Sequence, residues 1–103
     1  MKRIDRIKAM EECLDRSAAA FKKLDEALDG YGEALADYRK LSDYYGSAKW
    51  MQDYEADEAG KLPKDLKRGV LSEDGVYDLI TEHGELVARM ARFVAESVEK
   101  KLY

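Results

Sequence analysis

The chain has 103 residues, a formal net charge of −4, one cysteine and one histidine. That length predicts one domain around one core, the single Cys13 excludes an internal disulfide, and no apolar run approaches the ~20 residues that span a bilayer. Leu, Ile, Val and Phe together number 21, a thin supply that suits helices burying one stripe each and a core completed by a second copy of the chain.

Apolar residues recur at seven-residue intervals through the first part of the chain. Ile7, Leu14, Phe21, Leu28 and Leu35 form one set, and Met10, Leu24, Tyr31, Tyr38 and Tyr45 form the other. This 3.5-residue repeat predicts a long helix over about 3–45, with an apolar seam that meets other helices along its length. Gly30-Tyr31-Gly32 is its weak point, because two glycines cost about 2 kcal/mol against alanine, and a turn there is the alternative. The seam keeps its phase across the glycines, which favours one continuous helix, bent at most.

Gly46 and Ser47 suit a helix end followed by a new cap, so a short helix is expected over 48–59, stopped by Gly60. Pro63 suits the first turn of another short helix, 63–68, which Gly69 would stop. Leu71-Ser72-Glu73-Asp74-Gly75-Val76 reads as a helix start. Ser72 can cap, Glu73 and Asp74 complement the helix dipole, and Leu71 can pack on Val76 as a hydrophobic staple. The last helix should cover 73–102, with Val76, Ile80, His83, Val87, Met90 and Val94 on one stripe.

Small stripes run beside the large residues, Gly84, Ala88, Ala91 and Ala95 in the last helix and Ala20, Ala27 and Ala34 in the first; they let helices approach closely. The expected fold is all-α: a long antiparallel helical hairpin with short helices in the connector, completing a bundle as a homodimer. A last helix folded back along the first would run out near residue 15 and leave Ile4, Ile7, Met10 and Leu14 for a second chain.

Two stretches carry a family resemblance: Tyr44-Tyr45-Gly46-Ser47-Ala48-Lys49-Trp50-Met51-Gln52-Asp53 and Gly69-Val70-Leu71-Ser72-Glu73-Asp74-Gly75-Val76-Tyr77-Asp78-Leu79. Over roughly residues 4–90 the chain resembles a family of small bacterial helical proteins catalogued as a domain of unknown function, DUF4298. The resemblance implies a helical cytoplasmic protein and brings no activity or site with it.

Residues 43–58 hold Asp43, Asp53, Glu55, Asp57 and Glu58 against Lys49 alone, a balance of −4 that leaves the rest of the chain neutral. Glu55 and Glu58, three apart, are matched by Glu82 and Glu85 on the last helix. Two such pairs facing each other could hold a magnesium ion that bridges to phosphates, as in all-helical nucleotide pyrophosphohydrolases. The simpler reading is a solvated acidic face, with no cofactor. Trp50, Asp53 and Tyr54 share a face of the short helix near Tyr44, Tyr45 and Tyr77. They read first as the aromatic end-plug of the bundle and second as a ligand or peptide groove.

No hydroxyl stands in a nucleophile motif, His83 lies on the apolar stripe as a packing residue, and Cys13 beside the seam reads as a small apolar filler. Lys61, Lys64, Lys67 and Arg68 are too few for duplex binding and read as internal partners of the acidic segment. The expectation is therefore a cytoplasmic protein-interaction or scaffold module, acting as a homodimer with a further protein partner at the Trp50 and acidic region, and no nucleic acid or membrane. The alternative is a magnesium-dependent nucleotide hydrolase using Glu55, Glu58, Glu82 and Glu85.

Overall fold

Helix formers dominate the first forty residues, and in the computed structural model, which describes residues 2–103, they form a single helix, α1, Lys2–Tyr44. It runs unbroken through Gly30-Tyr31-Gly32. The order that follows is a short helix, α2, Ala48–Glu58, a 3-10 turn at Gly69–Leu71, and a second long helix, α3, Gly75–Glu99. Among the described residues there is no strand, so the fold is all-α, with the long–short–long element order of a helical hairpin. No described helix is long and apolar enough to cross a membrane.

The chain divides into two units, the first ending at Arg39 and the second spanning Lys40–Tyr103. The first is helix alone. Its seam residues Ile4, Ile7, Met10, Leu14, Phe21, Leu24, Leu28 and Leu35 are all exposed, Phe21 to 70%. Cys13 is exposed too, so within this chain it fills no core. An ion pair between Arg16 and Glu12, 3.2 Å and open to water, adds at most a few tenths of a kcal/mol.

The second unit is built on capping chemistry. Gly46, at φ +80°, ends α1 in the left-handed conformation that side chains disfavour. Ser47 then takes extended backbone and its Oγ accepts the Trp50 N–H at 3.1 Å, capping α2. At the other end of α2 the Lys61 N–H donates to Ala56 O and the Gly60 N–H to Asp57 O, both at 3.0 Å. This is a Schellman closure, and it stops the helix at Glu58.

Residues 63–68 do not form the helix expected from Pro63. A lone hydrogen bond from the Leu66 N–H to Pro63 O, 3.2 Å, makes a turn there, and a six-residue segment cannot repay the cost of helix nucleation by itself. The chain instead tightens three residues later, at Gly69–Leu71, where the sequence suggested only a stop.

The regular part of α3 starts at Gly75, two residues after the expected Glu73, and Asp74 makes no side-chain cap. The cap comes from Ser72: its Oγ accepts the Gly75 N–H at 3.0 Å and donates to Gly69 O at 2.7 Å. Leu71 and Val76, the residues before the cap and four after it, are 5% and 3% exposed. They are the buried apolar pair of the described residues, in the two positions of a hydrophobic staple. At its far end α3 closes through Leu102 N–H to Ser97 O at 2.9 Å, with Lys101 at φ 55°. Those bonds end the helix before the expected residue 102.

Candidate functional site

α2 stands against the end of α1 through its aromatic face. Trp50 lies edge-on to Tyr45, with ring centroids 5.2 Å apart at 71°, and stacks on Tyr54 at 5.3 Å and 20°. Such offset arrangements align ring edges with ring faces and add about 1 kcal/mol beyond the area buried. The Trp50 indole N–H donates to Val70 O at 2.9 Å, so the same side chain fastens α2 to the 3-10 turn.

Asp53, one turn along α2, accepts a hydrogen bond from the Tyr44 hydroxyl at 2.6 Å. That hydrogen bond, then partial burial, then the carboxylate's charge, push Tyr44 up from 10.0 to about 12. Tyr54 is also raised, chiefly by the negative charge of Glu58 and by burial, with Glu73 and Asp57 contributing. Asp57 is itself engaged by the Arg68 guanidinium at 2.6 Å, side chains 21% and 35% exposed. Arg68 thus partners the acidic segment, as the charge pattern suggests.

Tyr44, Tyr45, Trp50, Asp53 and Tyr54 are brought together, while Tyr77 is not: it lies on α3, 59% exposed. Beside the cluster an open apolar cleft of about 450 Å³ is lined by Leu41, Lys67, Gly69, Val70, Gly75, Val76 and Leu79. Sequence reasoning missed this cleft, because it depends on the Gly69–Leu71 turn.

The family described as Domain of unknown function (DUF4298) matches residues 7–93. The chain belongs to that family. The DUF4298 match takes in α2, the 3-10 turn, the staple and the whole aromatic cluster. Comparison with curated proteins and with solved structures finds no match.

Of the carboxylates of the alternative reading, Glu58 acts on Tyr54 of the cluster. Glu55 and Glu58 are exposed on α2, and Glu82 and Glu85 are exposed on α3. Among the described residues no three or more His, Cys, Asp or Glu side chains are grouped so that they could hold a metal ion. Within the cluster the Tyr44 to Asp53 contact favours a protonated phenol. These contacts join α2 to the end of α1 and to the 3-10 turn.

Proposed function

We propose that this DUF4298 chain is a protein-interaction module that works as a homodimer in the cytoplasm, with the α1 seam as its docking face. The observation that carries the reading is a mismatch of lengths. α1 has 43 residues and α3 has 25, so whatever their arrangement, 18 residues of α1, about 27 Å, exceed what α3 can cover. Eight large apolar residues of the seam are 39% to 70% exposed. They present roughly 800 Å² on one face, more than a monomer ordinarily leaves in water and about one partner's share of a standard interface.

A second copy supplies a seam of matching period that can bury this face. Trp50 is engaged within its own chain by Val70, Tyr45 and Tyr54, so any further partner meets the exposed acidic edge at Asp43, Glu55 and Glu58 rather than the indole. The lone cysteine, Cys13, suits the reducing setting of the cytoplasm.

Sedimentation velocity from 1 to 50 μM tests the reading, since it should give twice the 11.8 kDa chain mass. Leu14→Asp with Leu24→Asp should return a monomer whose Trp50 emission is unchanged, because Trp50 packs within the second unit. A wild-type monomer throughout that range overturns the proposal. Thermal unfolding with magnesium and nucleotides separates the alternative: a midpoint rise requiring both would move the assignment to a hydrolase.

A further inference from the structure

Along α3 the side chains at 79, 83, 86, 90, 93 and 97 follow the 4-3 spacing of a helix seam. Met90 in that seam is half-buried, but Leu79, Leu86 and Phe93 are 42%, 50% and 59% exposed. With the exposed Val87, Val94 and Val98 they present roughly 600 Å² of apolar surface, about the most that a monomer ordinarily leaves in water.

One edge of this seam carries opposite charges a heptad apart, Glu82 and Arg89, both exposed. The Arg89 guanidinium lies 5.8 Å from the centre of the Phe93 ring, against the seam itself. Among the described residues neither Glu82 nor Arg89 makes an ion pair within the chain. Asp78, Glu85 and Arg92 stand about 100° or more around the helix from the centre of the seam, and Glu96 is engaged by Lys100 at 2.9 Å.

We infer that α3 pairs with α3 of a second copy, antiparallel, in the register that sets Glu82 of each chain against the partner's Arg89. The homodimer reading above supplies the second copy, and α3 adds to it a contact built from one helix of the second unit. In antiparallel helices the same edge of each helix meets across the seam, so the two charges pair twice about the two-fold axis. Leu79 then meets the partner's Met90, and His83 the partner's Leu86. A slip of one heptad sets either Arg89 or Glu82 against its own copy. A parallel pair sets the first half of α3, with Asp78, Glu82 and Glu85 and no Lys or Arg, against itself. The stated register escapes all three repulsions.

Charge reversal in the full chain tests the pairing. Glu82→Arg alone and Arg89→Glu alone each turn both contacts into like-charge ones, and each should weaken dimerisation at least ~10-fold at low salt, measured by sedimentation. The two together exchange the charges and should restore it. Single reversals that leave the dissociation constant unchanged, or a double variant no better than the singles, overturn the α3 contact and leave the dimer standing; a wild-type monomer removes both. A dimer that survives Leu14→Asp with Leu24→Asp yet responds to the reversals supports α3 as the contact and overturns docking on the α1 seam.

A spin label reads the direction without touching the charges of the seam. Cys13→Ser with Glu99→Cys puts one nitroxide per chain on the outward face at the end of α3. The midpoint of the pairing falls close to Glu85, so antiparallel helices set the two labels about 42 Å apart along the axis, whereas a parallel pair holds them within about 30 Å of each other. The expected dipolar distance is the long one, and a dimer with the short distance overturns the orientation.

Discussion

The indole N–H of Trp50 donates to the carbonyl of Val70 at 2.9 Å, joining residues twenty positions apart in a unit with only two buried apolar side chains. A contact that long in sequence matters more when the core is small, because little else holds α2 to the turn before α3. Trp50→Phe keeps a ring against Tyr45 and Tyr54 but leaves Val70 O to water, and should cost about 1 kcal/mol. Trp50→Ala removes both and should cost about 2 to 4 kcal/mol, discounted because the indole is only half-buried. Urea unfolding followed by circular dichroism checks the order; equal losses would mean that the ring packing contributes nothing, and an unchanged Trp50→Phe that the hydrogen bond contributes nothing.

Two glycine substitutions should move stability in opposite directions. A Cβ on Gly75 would sit 2.7 Å from both Gly69 O and Ser72 Oγ, the two atoms of the cap itself. Gly75→Ala must therefore break the Ser72 cap or displace the 3-10 turn, at a cost of about 1 to 3 kcal/mol. A Cβ on Gly30 meets nothing within 4 Å, and Gly30→Ala should stabilise α1 by up to about 1 kcal/mol. For a chain of this size 1 kcal/mol moves the melting midpoint by roughly 4 to 8 °C, so calorimetry distinguishes the two signs.

The caps were the most legible part of the sequence. Ser47, Gly46, Gly60 and Ser72 act within four residues of themselves, so their chemistry is written locally, and the Leu71 and Val76 staple follows from the same short window. The long α1 was legible because its seam kept phase across Gly30 and Gly32. Residues 63–68 were not, since Pro63 is a permissive signal and the segment's path depends on distant groups. Arg68 is taken by Asp57, eleven residues back, and Val70 by Trp50. Tyr77 shows the limit of reading a cluster from sequence: it was expected near Trp50, Asp53 and Tyr54, but the face of α3 that it occupies points to water.

The Arg68–Asp57 pair should behave as a modest, measurable coupling. Its 2.6 Å contact is short, but the side chains remain 35% and 21% exposed, and water screens much of the attraction. Arg68→Gln and Asp57→Asn should each destabilise by about 1 kcal/mol, and the double variant should lose less than the sum. Strict additivity in a double-mutant cycle would mean that the pair holds geometry without contributing energy.

Tyr44 predicts how the unit responds to alkali. The phenol ionises near 10 in the unfolded chain and only near 12 in the folded one, because its proton is held against Asp53 at 2.6 Å. Folding therefore favours the protonated form. The contribution is fully present below pH 10, declines as pH rises because only the unfolded chain ionises, and is gone above about 12. Tyr44→Phe lacks the hydroxyl and the dependence with it, so the stability difference between wild type and variant should be largest at pH 8 to 9 and shrink steadily towards pH 12. Denaturant titrations of the pair at those pH values read the difference directly and cancel the other tyrosines. Asp53→Asn, followed by ultraviolet titration, should bring one phenol back towards 10; a spectrum unchanged from wild type would show that the carboxylate is not the group holding the proton.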